Sequence, residues 1–385
     1  MLWLLAAILF VNGIDYLMIL PLGPDFARGL HIPLDRLGLV NGSYMVAASV
    51  AGVLVAPILD RFERRVALGT AIAGLVSSTA LAGFATGLRS MIVARAVAGT
   101  CGGVTVSLIF AIVADVIPPE RRGDAVGKVR GALSVASVLG VPIGLWLSQW
   151  ISWRAPFFAI GGLGLVVAVP AVASLPPLRG HLAKTTGETV AGGALWRRPE
   201  AISITIANAL QVMGNFALIP FFTGYLLYNL GFARSRLSLL YIAGGVITFF
   251  VLRLFGRLSD RLGELPVAAA GTLLFEVLFL LGYVVVPDWM PGAALYIGVN
   301  LAMACVAVPT GSLTSRVPRP NERAQFMSIQ TAVQFGSSAT AALVASHFVH
   351  APSETSPITG VAPVALVCMG IAALAMVPLW RARRV

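Results

Sequence analysis

Charge is scarce in this sequence. Asp, Glu, Lys and Arg make up 11% of its 385 residues, whereas soluble domains carry about 25%. A water-soluble globular domain is excluded on that ground. Acidic residues are the scarcer sign, 16 against 27 Lys plus Arg, which leaves a net charge of +11. Cysteine is limited to Cys101, Cys305 and Cys368. Each falls inside an apolar segment and none has metal-ligand spacing, so they read as inert packing groups. The chain also lacks a nucleophile paired with a base, a metal cluster and a phosphate-cradling glycine loop. An enzyme, a bound cofactor or metal, and ATP as the direct energy source are therefore not expected.

What the chain has instead is apolar length. Hydrophobic residues reach 58%, and the mean hydropathy is +0.88. Runs of about 20 apolar residues recur, each able to cross a hydrocarbon layer of ~30 Å. Twelve helices are predicted, at 2–23, 37–59, 66–86, 90–116, 125–150, 155–175, 200–228, 237–257, 266–286, 292–316, 324–349 and 362–380. The first run, Met1 to Leu22, lacks a basic n-region and a small-residue cleavage site, and reads as a retained helix. A polar connector, 176–199, carries Arg179, Lys184, Arg197 and Arg198 and separates six helices from six. The expected domains are 1–175, this linker, and 200–385.

Cations divide unevenly between alternate connections. One side collects seventeen, in clusters such as Arg61, Arg64, Arg65 and Arg381, Arg383, Arg384. The other has six: Arg28, Arg36, Arg89, Arg154, Arg234 and Arg236. The richer side is expected to be cytoplasmic, which with an even helix number places both termini inside an inner membrane. Clusters lying between apolar runs, rather than on one polar face, argue against nucleic acid as a partner. Arg95, Lys128, Arg130 and Arg253 remain, within helices or close to their ends.

The chain also repeats itself. Asp60-Arg61, in the charged turn after Ala56, returns as Asp260-Arg261. Pro119-Glu120-Arg121-Arg122 is answered by Pro320-Asn321-Glu322-Arg323, so Arg122 and Arg323 lie 201 apart. Two marks at nearly one offset indicate two copies of one unit, an arrangement common in secondary transporters.

These residues resemble the major facilitator superfamily along the whole chain. Its pattern between helices 2 and 3, roughly G-x-x-x-D-R-x-G-R-R, is matched by Asp60, Arg61, Arg64 and Arg65, with Ala56 and Glu63 in place of the glycines. The second copy keeps Gly256 and Gly263 but has Glu264 where an arginine is usual. Arg95-x-x-x-Gly99 followed by Gly102-Gly103 is similar to the family's motif in helix 4. Leu139-Gly140-Val141-Pro142-Ile143-Gly144, then Trp153-Arg154 and Phe157, resembles the drug:proton antiporter branch, including sugar and drug efflux relatives, with Val-Pro where Gly-Pro is usual. The resemblance implies an all-α fold of two pseudo-symmetric six-helix bundles, with helices 1, 4, 7 and 10 lining a central cavity, and a monomer. It also implies a cytoplasmic latch of Asp60, Arg64 and Asp115 against the start of helix 11, with Asp260 and Arg261 as the second-half counterpart. Carboxylates are favoured at such helix starts.

Ionisable groups at membrane depth are costly and usually functional. Asp15 sits mid-helix 1, beside Asn12 and Tyr16, and Arg95 in the first turns of helix 4. Burial disfavours a charged carboxyl and a neighbouring cation favours it, which suits Asp15 to carry a proton and Arg95 to tune it. The alternatives are a fixed structural ion pair, a substrate anchor at Asp15, or contact of Arg95 with an anionic group. Glu276 in helix 9 and Arg253 in helix 8 have weaker claims, Arg253 as a snorkelling residue. Asn208, Gln211 and Asn215 follow i, i+3, i+7 and form one stripe on helix 7. With Asn300, Gln330 and Gln334 they are candidates for the second-half cavity wall, or for interhelical bonds. Pro142 should kink helix 5.

The expected function is proton-coupled efflux of a small organic solute or drug by alternating access, with solute, protons and the lipid bilayer as partners. A proton-coupled or facilitative uptake carrier for a metabolite is the alternative.

Overall fold

An apolar segment in lipid has no water to bond its backbone, so it satisfies its own N–H and C=O groups as a helix. The computed structural model describes residues 1–54, 62–118, 121–176, 198–318 and 323–382. Twelve long helices are present among these residues. They are α1 (Leu2–Leu30), α2 (Leu37–Leu54), α3 (Arg64–Ala82), α4 (Leu88–Val116), α5 (Arg122–Val135, a π turn Ala136–Gly140, then Val141–Trp150) and α6 (Ala155–Ser174). The second six are α7 (Pro199–Phe216, then Ile219–Tyr228), α8 (Leu237–Leu262), α9 (Glu264–Phe279 with a π turn Leu280–Val285), α10 (Gly292–Arg316), α11 (Arg323–Phe348) and α12 (Val361–Ala382). Eleven are long and apolar enough to span a bilayer. The twelfth, α11, has the length, at 26 residues, but Gln330, Gln334, Ser337, Ser338 and Thr340 lower its hydropathy.

Several expected features fall outside the described residues: Ala56, Asp60 and Arg61, Pro119 and Glu120, Pro320 to Glu322, and connector residues 177–197. Elsewhere the helix ends need correction. α1 runs past residue 23 to Leu30 despite Pro21 and Pro24, since spanning helices tolerate proline. α8 runs through the Gly256–Leu262 segment, which the repeat suggested was a turn, and stops at Gly263, whose φ of 87° suits glycine. α7 breaks between Phe216 and Ile219, where Pro220 has no N–H for the Phe216 carbonyl. In α5 the π turn takes up the same defect just before Pro142.

The halves pack by one plan. Contacts α2–α4, α3–α4, α3–α6, α1–α5 and α1–α6 in the first half recur as α8–α10, α9–α10, α9–α12, α7–α11 and α7–α12 in the second. Between halves, α2 meets α11 and its counterpart α8 meets α5. The fold is thus two related six-helix bundles facing each other.

Glycine sets how closely α4 approaches α2. A Cβ on Gly99 would strike the Tyr44 backbone carbonyl, and one on Gly103 that of Ala48. This fixes the depth of Tyr44 beside Arg95. Gly99→Val and Gly103→Val should each cost about 1–3 kcal/mol through overpacking, read as a lower Tm in detergent. Gly127→Ala, whose Cβ meets nothing within 4 Å, should leave Tm unchanged or raise it.

Candidate functional site

A cavity of about 280 Å³ lies between the halves. Asn12, Tyr16 and Leu17 of α1 line it, with Phe110 of α4 and Arg130 and Leu133 of α5. The facing wall is Val212 and Phe216 of α7 and Thr331, Gln334, Phe335 and Ser338 of α11. Asn12 also donates to the Gly102 carbonyl of α4 at 3.2 Å, which the absence of a Gly102 side chain permits.

Asp15 and Arg95 lie behind this wall rather than in it. Arg95 Nη1 donates to Asp15 Oδ1 at 2.8 Å, and Thr79 Oγ1 of α3 donates to the same oxygen at 2.7 Å. Both charged side chains are 0% exposed. Asp15 Oδ2 and Arg95 Nε have no hydrogen-bond partner among the described residues. The Arg95 guanidinium lies 4.5 Å from the Tyr44 ring centre. Tyr44 stacks on Tyr16 at 5.7 Å, and Tyr16 meets Phe335 of the opposite half edge-on at 5.7 Å. Two rings therefore connect the ion pair to the cavity and to the other bundle. Removing one member of a buried pair typically costs about 3–5 kcal/mol, because the other charge is stranded.

The expected second-half cavity set divides. Gln334 lines the cavity. Asn208 instead donates to Thr314 Oγ1 and Gln330 Oε1, each at 3.0 Å, and Gln330 donates to Thr205 Oγ1 at 2.6 Å. These bonds tie α7, α10 and α11 together. Gln211 and Asn215 border a small pocket with Thr272 and Phe275 of α9 and Met376 of α12. Asn300 donates to the Tyr296 carbonyl of its own helix at 2.8 Å. The i, i+3, i+7 spacing puts the three amides on one face of α7, but which neighbours each meets depends on packing around it. Glu276 is half-buried on α9. Arg253 is exposed and lies over the Phe249 ring at 4.2 Å.

At the cation-rich end, Arg64 Nε meets Asp115 Oδ2 at 3.2 Å, joining the start of α3 to the end of α4. The second half has the same link with the charges exchanged. Glu264 at the start of α9 meets Arg316 at the end of α10, at 2.8 Å. Asp260 and Arg261 are exposed in the last turn of α8.

The cation-poor end binds half to half. Arg234, before α8, pairs bidentately with Asp25 of α1; its Nε lies 2.9 Å from Oδ1. Ser148 of α5 donates to Asp25 Oδ2 at 2.7 Å, and Gln149 Nε2 to the Arg234 carbonyl at 2.7 Å. Arg28 donates to the Tyr228 hydroxyl at 2.8 Å, and His31 faces Glu354 at 3.4 Å. Glu354 is held below the usual carboxylate value, first by a hydrogen bond to its own backbone and then by His31. Beneath this layer, Phe26, Leu34, Leu37 and Val40 share one apolar cluster with Phe221, Leu226, Ala341 and Val349.

Sequence reasoning missed Arg130 as a cavity residue, although a charge inside an apolar run was the available signal. It also missed Asp25, whose partner is 209 residues away, and Thr79, since a threonine in a spanning helix carries no distinguishing pattern.

The chain belongs to the Major Facilitator Superfamily, whose family profile matches residues 5–207 and 204–384. It is a multi-pass membrane transporter, not an enzyme. A chloramphenicol resistance protein of Streptomyces lividans is 26% identical over 71% of this chain and 70% of its own length. The inner membrane transport protein YdhP of Escherichia coli O157:H7 is 26% identical over 80% and 78%. Among solved structures, a bacterial homologue of the human lysosomal transporter Spinster, inward-facing and occupied, superposes with a TM-score of 0.77. It is 16% identical and covers 100% of this chain and 96% of that one. The xylose transporter XylE from E. coli, partially occluded and inward open, gives 0.72 at 16% identity, over 99% and 96%.

The Asp25–Arg234 contact gives a test of the seal. Asp25→Ala and Arg234→Ala should each lower stability in detergent. The double variant should be little worse than either, a coupling of about 0.5–3 kcal/mol in a double-mutant cycle. Additive losses would show that the pair does not join the halves energetically.

Proposed function

We propose that this protein is a proton-coupled exporter of a small organic solute, working by alternating access around the central cavity. The observation that carries the reading is the fully buried Asp15–Arg95 pair, two aromatic rings from the cavity, with Asp15 Oδ2 unpartnered among the described residues. A proton arriving at Oδ2 neutralises the carboxylate and strands the Arg95 charge. Arg95 then shifts against Tyr44, and Tyr44 against Tyr16, which bridges to Phe335 on α11. The protonation state is in this way communicated to the contact between the bundles.

The rest of the molecule supports the cycle. Ion pairs and an apolar cluster close the cation-poor end across the halves. The described ion pairs at the cation-rich end stay within each half. With that end cytoplasmic by its excess of Arg, the chain stands closed to the outside, and both termini lie inside the cell membrane. Arg64 and Asp115 serve as part of the cytoplasmic latch that re-forms when the outside opens. The two domains move as bodies, and one copy of the chain suffices. Export rather than uptake is favoured by the likeness to the chloramphenicol resistance protein.

The test is proton movement in proteoliposomes. With a pH-sensitive dye inside, a panel of neutral solutes (chloramphenicol among them) and acidic ones is added outside. At least one member should drive protons in the direction opposite to its own. Asp15→Asn should abolish proton movement while solute exchange at equal pH persists. Asp15→Asn/Arg95→Gln, which leaves no stranded charge, controls for misfolding. Proton movement that survives in a folded Asp15→Asn protein contradicts the assignment.

A further inference from the structure

Several arginines of this fold are paired with a carboxylate. Arg64 has Asp115, Arg95 has Asp15, Arg234 has Asp25 and Arg316 has Glu264. Arg130 has none among the described residues. It sits on α5, half-buried, and its guanidinium lies 5.3 Å from the Phe110 ring centre. It is also the one charged residue among the described residues lining the central cavity. A ring face offsets only part of what a cation loses on leaving water, about 0.5–2 kcal/mol. A cation kept in a recess with no carboxylate beside it among the described residues is set to receive a mobile one, and a guanidinium suits a planar or tetrahedral oxyanion.

The remaining lining narrows the solute further. Tyr16, Phe110, Phe216 and Phe335 present aromatic surface, and Gln334 places an exposed amide there. The volume of about 280 Å³ lies at the small end of ligand sites, which run to about 1,000 Å³. We propose that Arg130 anchors the acidic group of the transported solute, a compact organic anion with an apolar or aromatic body and a carboxylate or phosphate ester. This deepens the reading of the cavity as the transport site and rests on it.

Binding of matched pairs tests the assignment without any pH gradient. Purified full-length protein in detergent is titrated, at constant pH and ionic strength, with phenylacetate against phenylacetamide and with phenyl phosphate against phenol. Thermal unfolding and calorimetry are the readouts. The anion of each pair should bind at least about tenfold more tightly, the ratio that one charge-assisted contact gives. Arg130→Gln should bring the ratio to about one with Tm of the free protein little changed, whereas Arg130→Lys should retain a preference for the anion. Equal affinity for neutral and acidic members, an anion preference that persists in Arg130→Gln, or no binding by any anion of the series overturns the proposal. Because no proton gradient is used, such a failure leaves the role of Asp15 standing. Conversely, loss of the Asp15 assignment leaves the anion preference intact.

Discussion

A buried charge has to bring its partner with it. In the first bundle that rule is met at Asp15 and Arg95, both sealed from solvent. Much of the local structure follows from holding them together. α4 must lie close enough to α1 for a 2.8 Å contact, and Gly99 and Gly103 allow that by letting α4 rest on the backbone of α2. Thr79 supplies a second donor from α3, and Tyr44 covers the guanidinium. Four helices converge on one ion pair. Its energetic value as a stabiliser is modest beside a packed apolar core. On the proposed mechanism, a single proton at one carboxyl oxygen would disturb all four.

The two ends of the molecule use charge differently. At the cation-poor end, Asp25–Arg234, Arg28–Tyr228 and His31–Glu354 each join one half to the other. At the cation-rich end, Arg64–Asp115 and Glu264–Arg316 each stay inside a half. The second pair explains an irregularity in the sequence. Glu264 stands where the family pattern has arginine, and Arg316 stands opposite it, so acid and base have changed places together. The bond between the third and fourth helices of each half is kept in both copies with its polarity inverted. Both helix starts and ends are still tied, while the field at the helix termini differs between halves.

The twelve-helix fold was legible because bilayer thickness and backbone hydrogen bonding leave few alternatives to long apolar helices. In α11 the amides and hydroxyls dilute that apolar signal. The repeat was legible in Asp60-Arg61 and Asp260-Arg261, though α8 carries the second copy as helix rather than turn. The buried ion pair was legible where a charge interrupted an apolar run, as at Asp15 and Arg95. Legibility failed where partners are set by tertiary packing. Asn208 and Gln330 look alike in sequence to Gln334, yet they bond to one another while Gln334 faces the cavity. Arg130 was passed over because a cation near a helix end ordinarily reaches for the interface; the folded α5 turns it inward.

The central claim is that protonation of Asp15 is coupled to which end of the molecule is closed. Distances between spin labels measure this directly, with Cys101, Cys305 and Cys368 first replaced by alanine. One pair, at Arg36 and Arg236, spans the cation-poor end. A second, at Phe62 and Asp260, spans the other. All four positions are exposed. As pH is lowered, the account predicts that the two distances change in opposite directions in the otherwise unaltered protein and not in Asp15→Asn. Distances that stay fixed, that move together, or that respond equally in Asp15→Asn contradict it.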